Sequence, residues 1–242
     1  MIMISPETAK ATASEYGHPA ATLQVDVIAD LICPWCYLGK KRLDSALQAV
    51  HGPSLVTWYP FQINPTMPTE GMPFEDYLAI KFGDPARLEP GLAALTAAGE
   101  AEGVKFRFDK MSQVPNTLSA HRLMKLAEDE GVDTSELAEN ILQGFFEKGL
   151  NIADRDVLIE IGAASGLSAA AINETLEDEK SSRIVASQEA QVRQSGITGV
   201  PDFLINKRLF VVGAQSTENL VSIFDRVMFG ADSDQPVSPI VH

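Results

Sequence analysis

The only two cysteines among 242 residues stand three apart, in the run Cys33-Pro34-Trp35-Cys36. A thiolate is the attacking species in thiol–disulfide exchange. A second thiol one helical turn further on can close a small disulfide ring or resolve a mixed disulfide. Cys33 is therefore assigned as nucleophile and Cys36 as resolving thiol, a redox-active pair that needs no bound cofactor. Zinc fits poorly, because a structural site takes four nitrogen or sulfur ligands. The remaining candidates, His18, His51, His121 and His242, are scattered without paired spacing, and no metal is expected.

Chemistry of this kind needs a scaffold that holds the first thiol at a helix start. Upstream, Leu23, Val25 and Val27 alternate with Gln24, Asp26 and Ile28, which predicts a mostly buried strand. Downstream, Leu43, Ala46, Leu47 and Val50 repeat at helical spacing. The cysteines thus fall where a strand end turns into a helix N-terminus, with Pro34 at a first-turn position that needs no backbone N–H. First-turn N–H groups and the helix dipole favour negative charge, so a lowered pKa is expected for Cys33, the reachable thiol, with Cys36 shielded by the helix. Asp30, three residues before Cys33, could tune the thiol or could be a loop-exposed carboxylate. Trp35, in an exposed turn, reads as a contact surface.

The rest of the chain divides by period. A second strand is expected over Leu55 to Phe61, closing a β-α-β unit. From 62 to 196 the pattern is helical: Phe74 to Phe82, Arg87 to Glu102 in one or two pieces because of Pro90 and Gly91, then a helix after Pro115-Asn116 closed by Gly131. Asp133 and Glu136 predict a capped helix, followed by helices over Asp154 to Ala164, Ser168 to Leu176 and Glu179 to about Ser195. Val104 to Phe108 alternates as a short extended segment. Strand chemistry restarts at Gly199, with Phe203 to Ile205, a tight turn at Asn206-Lys207, Leu209 to Val212, and a last helix capped by Ser216 or Thr217. The residues before 23 and after 229 read as a flexible leader and tail. Strand-helix-strand followed by strand-strand-helix is the order of a thioredoxin fold, here α/β with a large all-helical insertion: 23–61 and 197–229 form the thioredoxin-like domain, 62–196 the insertion.

The run from Asp30 to Gly39, together with Gly199-Val200-Pro201-Asp202-Phe203, resembles the DsbA-like thioredoxin-fold oxidoreductases. The likeness is to the branch with FrnE-like dithiol-disulfide isomerases, and hydroxychromene-carboxylate isomerases and kappa-class glutathione transferases are relatives. Taken alone, Pro201 would be an ordinary trans proline at a strand start, since only about 5 to 6% of X–Pro bonds are cis. The resemblance implies instead a cis proline beside the dithiol and a substrate-binding role for Val200 and Pro201. It also places a buried acid six residues before the first cysteine. That position is Val27 here, and Asp26, one residue off, should point to the other face of the strand. Trp35 stands where DsbA has a histidine, so a weaker oxidant than DsbA, at about −120 mV, is expected, with thioredoxin near about −270 mV on the other side. The run Asn116 to Leu123 resembles a helix start that borders the groove in this branch. It makes Asn116 a substrate-binding candidate, although by itself Asn116 is an N-cap and His121 and Arg122 are helix residues.

Composition narrows the partners. Hydrophobic residues make up 45% of the chain, enough for a sizeable core. A net charge of −14 without a Lys/Arg cluster argues against nucleic acid and against an anionic membrane surface. The first residues lack the apolar run of a secretory signal, so a cytoplasmic protein is expected. The expected partner is a thiol or disulfide substrate, protein or small molecule, with glutathione as a candidate co-substrate. Two other readings are a glutathione-dependent isomerase or transferase, where a serine commonly replaces the first cysteine, and a non-catalytic peptide-binding module.

Overall fold

The computed structural model describes residues 22–83 and 88–230. The expected leader and tail, apart from Thr22 and Gly230, lie outside the described residues. The first strand, β1 (Leu23–Ala29), leads into α1 (Pro34–Ala49) and β2 (Ser54–Pro60). After the helical stretch come β5 (Asp202–Ile205), β6 (Leu209–Val212) and α9 (Thr217–Phe229). The sheet order is β2-β1-β5-β6, with β1 parallel to β2 and antiparallel to β5. As the central strand, β1 is covered on both faces, and of its seven residues only Gln24 is exposed. Asn206 and Lys207, with φ of 48° and 55°, make the left-handed turn between β5 and β6.

Between the two halves lie α2 (Phe74–Phe82), α3 (Glu89–Ala101), α4 (Leu118–Glu130), α5 (Thr134–Phe146), α6 (Arg155–Ala164), α7 (Ala169–Glu177) and α8 (Glu179–Gln194). Helix α3 is one piece, because Pro90 falls in its first turn where no N–H is needed. Asp133 caps α5 by accepting from the N–H groups of Ser135 and Glu136, and Gly131 closes α4 in the left-handed conformation. The alternation at Val104 to Phe108 is kept, with Val104 and Phe106 buried, yet no strand forms there. The segment runs into a short 3-10 turn at Phe108–Lys110 instead. A two-residue ladder, β3 (Met72–Pro73) with β4 (Gln113–Val114), was not expected from the sequence, being too short to show a period.

One helix serves two cores. Cys33, Cys36, Leu43 and Ala46 pack with Val25, Val27, Phe203 and Phe224 against the sheet. Leu31, Ile32, Tyr37 and Leu38 pack with Leu123, Ile141, Leu142 and Phe146 of the helical layer. The Tyr37 ring stacks on Phe146, and its hydroxyl donates to Glu139 at 3.1 Å and Glu147 at 2.8 Å. Burial and the bond to Glu147 push the Tyr37 pKa far up, so the hydroxyl keeps its proton. Burial works against the Glu139 charge, but Lys40 and Lys41 outweigh it and hold that carboxyl below its usual range. Tyr37→Phe removes the proton shared by two carboxylates and should lower stability by about 1 to 3 kcal/mol. A urea midpoint unchanged from the parent would contradict this account of the α1–α5 contact.

Candidate active site

Cys33 is the N-cap of α1, with extended backbone angles, and Pro34 is the first helical residue. The chain reaches this position through a turn in which the Cys33 N–H donates to the Asp30 carbonyl at 3.2 Å. Both cysteines are free thiols and both are buried, Cys33 at 6% exposure and Cys36 at 2%. Cys33 is thus less open than a helix-end position alone suggests, because the loop before β5 closes over it. Its Sγ donates to the Val200 carbonyl at 3.7 Å. The Val200–Pro201 bond is cis. Gly39, one turn along α1 from Cys36, permits this approach: a Cβ there would lie 3.1 Å from Pro201 Cγ and 3.3 Å from Phe203 Cζ.

The two sulfurs differ in environment. Burial pushes the Cys36 thiol well up, and its hydrogen bond to Cys33 adds to the effect. Asp30 acts on the same sulfur in two senses: its backbone N–H favours the thiolate, while its carboxylate charge opposes it. Trp35, at 46% exposure, is the open member of the motif. Asp30 is not loop-exposed but fully buried. Its Oδ1 accepts from the Leu31 N–H at 2.8 Å and lies 3.2 Å from His121 Nε2, and its Oδ2 accepts from the Ile63 N–H at 2.7 Å. Val27 sits in the core with the cysteines, while Asp26 pairs with Lys207.

Other sequence candidates have different tasks. Asn116 Oδ1 accepts from the Leu118 N–H at 2.9 Å and its Nδ2 donates to the Met67 carbonyl at 2.7 Å, so the amide joins the loop after β2 to the start of α4. None of its described bonds reaches the dithiol or Val200. Arg122 binds Ser181 and the carbonyls of Thr175 and Asp178, tying α4 to the end of α7. Two features went unseen in the sequence. One is the Asp30–His121 pair, signalled only by His121 lying three residues before the core residue Met124. The other is Glu189, whose Oε1 accepts from the Gln62 N–H at 2.9 Å and pairs with Arg193 at 2.7 Å. Among the described residues, no three His, Cys, Asp or Glu side chains come together as a metal site.

The dithiol at a helix start beside a cis-proline loop, on a sheet of order β2-β1-β5-β6, coincides with a match to the family model of the DSBA-like thioredoxin domain over residues 24–225. The chain belongs to the DsbA-like thioredoxin domain family. Solved structures agree with this DsbA-like fold. A probable DsbA oxidoreductase from Streptomyces coelicolor superposes with a TM-score of 0.78 at 27% identity, over 89% of this chain and 94% of that one. The cytosolic disulfide reductase DsbM from Pseudomonas aeruginosa, solved with GSH, gives 0.61 at 19% identity, over 84% and 98%. A 2-hydroxychromene-2-carboxylate isomerase gives 0.66 at 14% identity, over 84% and 95%.

Two outcomes follow from this DsbA-like site. Iodoacetamide near neutral pH should label Cys33 before Cys36, read by peptide mass mapping, because Cys36 is the more buried and stays protonated. Equal labelling would contradict the asymmetry. Asp202, directly after Pro201, has its pKa raised to about 6 by burial, with the Gly213 N–H opposing the shift. A carboxyl raised in the folded state contributes stability at low pH that is lost as pH climbs through about 6. Asp202→Asn should therefore remove a fall on the order of 2 kcal/mol between about pH 4 and 6. Urea midpoints across that range, parent against variant, provide the check.

Proposed function

We propose that this chain is a cytoplasmic thiol–disulfide oxidoreductase or isomerase acting through Cys33 and Cys36. The observation that carries the reading is the asymmetric pair: Cys33 at the N-cap of α1 against the Val200 carbonyl, and Cys36 held behind it as a thiol. The Cys33 sulfur attacks a substrate disulfide, forming a mixed disulfide while the other substrate sulfur leaves with the bonding electron pair and takes up a proton. Cys36 then attacks Cys33, closing the protein disulfide and releasing the second substrate thiol. The substrate gains two electrons and two protons, which the dithiol gives up, and two thiols such as glutathione restore it.

Val200 and Pro201 line the approach to Cys33, and an extended substrate would pair with the backbone there, with Trp35 as its apolar contact. Pro34 fixes the first turn of α1. Glutathione as co-substrate is supported by the GSH in the DsbM structure. The low-identity likeness to an isomerase of hydroxychromene carboxylate carries less weight, because this chain keeps both cysteines. Cys36→Ser should accumulate a mixed disulfide with glutathione, seen as a mass increase, and lose turnover in an insulin-reduction assay. A variant that turns over as the parent does would replace this reading with a monothiol mechanism.

A further inference from the structure

The outer edge of β2 is unpaired. In the sheet β2 has one neighbour, β1, and their parallel register runs unbroken over all seven residues of β2. The Leu23 N–H donates to the Pro53 carbonyl at 2.9 Å and the Phe61 N–H to the Ala29 carbonyl at 3.1 Å, so the odd-numbered residues from Pro53 to Phe61 turn their backbone groups toward β1. Successive residues of a strand alternate in this respect, which leaves the N–H and C=O groups of Ser54, Val56 and Trp58 pointing away from the sheet. None of these groups has a hydrogen-bond partner among the described residues. Natural sheet edges are commonly blunted by charged side chains, bulges or proline. Here the strand Ser54–Pro60 carries no charge and no bulge, and proline only at its last position.

All seven residues of β2 line a cleft of about 570 Å³, walled on the far side by His121, Lys125 and Glu128 of α4 and by Ser135 at the start of α5. That wall leaves room for one extended chain, but not for the edge of a second sheet with helices on its faces. The wall side chains are committed: Lys125 to Glu128 and Asp129, His121 to Asp30, and Ser135 to the Trp58 indole at 3.4 Å. The free groups are the main-chain donors and acceptors of β2, repeating every two residues or about 6.6 Å, which is the repeat of another strand. Glu128 and Asp133 against Lys125 give the cleft a negative balance that suits a neutral or basic segment. Its upper end lies at the level of the dithiol: Pro60 pairs with Ala29, and Ala29 and Leu31, both lining the cleft, precede Cys33 by four and two residues.

We propose that the β2 edge docks an extended segment of a substrate polypeptide as an added strand, so that disulfides carried by protein chains are favoured over those of small thiols. For the nature of the occupant the proposal rests on the exchange reading above. Main-chain bonds supply the affinity and leave the sequence of the segment largely free. The Val200 loop meets the residues next to the reacting sulfur, and the β2 edge holds a second stretch of the same polypeptide on the opposite side of β1.

The test follows amide hydrogen exchange residue by residue, by NMR on the full-length protein, with a short synthetic segment of the insulin B chain whose cysteine is blocked by iodoacetamide. Without peptide, the amides of Ser54, Val56 and Trp58 should exchange faster than those of Leu55, Thr57 and Tyr59. Saturating peptide should slow the first set about tenfold or more and leave the second set as it was. Alternate N-methylation of the peptide, which removes the N–H groups that would face β2, should abolish this protection with no change to the protein. Val56→Pro deletes an N–H that no bond to β1 uses, a replacement an edge strand tolerates. It should raise the KM for insulin about tenfold relative to the KM for glutathione disulfide. An equal loss on both substrates reports a disturbed fold, and the N-methylated peptide then decides. Protection that is absent or equal in both sets, or that survives N-methylation, overturns the docking and leaves the exchange reading intact. Protection of Ser54, Val56 and Trp58 before any peptide is added, lost on dilution or on removal of residues 1–21, gives the edge to a second copy or to the chain's own first residues and also overturns it. A protein that binds the peptide in the alternating manner yet reduces neither insulin nor glutathione disulfide overturns the exchange reading, and with it the role of the segment as substrate.

Discussion

Helix α1 is buried on two sides, and the rest of the molecule is arranged around that constraint. Its sheet-facing positions include both cysteines, and Tyr37 and Leu38 between them and Gly39 turn toward the helical layer. A helix held by one core could rotate or fray at its first turn, where backbone bonds are fewest. Clamped between two, it presents the Cys33 sulfur and its first N–H groups in one fixed direction. The helical layer is thus more than an insertion that widens the groove. It is half of the packing that keeps the dithiol in place.

The polar groups near the dithiol follow from that packing. Closing two cores around one turn buries Asp30 completely, and a buried carboxylate needs partners. It finds them in its own turn and in two places distant along the chain, the loop after β2 and α4. These bonds stitch the sheet half to the helical half at the level of the cysteines. Glu189, Gln62 and Arg193 do the same one layer further out, with the Arg193 guanidinium 4.0 Å over the Phe61 ring.

Much of this was legible in the sequence where one period or one motif governs. The change from alternation before Ala29 to helical spacing after Cys36 located the dithiol at a strand-to-helix junction. Asp133, Ser216 and Gly131 marked helix ends by local chemistry that needs no tertiary partner. What the sequence could not display were bonds between distant segments. Asp30 and His121 lie 91 residues apart, and neither carries a local sign of the other. The bond from the Asn116 amide to Met67, 49 residues away, is of the same long-range kind; by itself Asn116 read as an N-cap, and only the resemblance made it a groove candidate. The short ladder at Met72 and Val114 escaped notice because two residues cannot establish a period.

Gly39 gives the close approach of α1 to Pro201 a mechanical meaning. With a Cβ-sized gap already filled to 3.1 Å, the distance between the helix and the proline loop is set by atomic radii rather than by adjustable side chains. A methyl group at residue 39 would have to displace the proline ring, the Phe203 ring or the helix itself, so the registry of α1 against the cis-proline loop depends on a side chain that is missing.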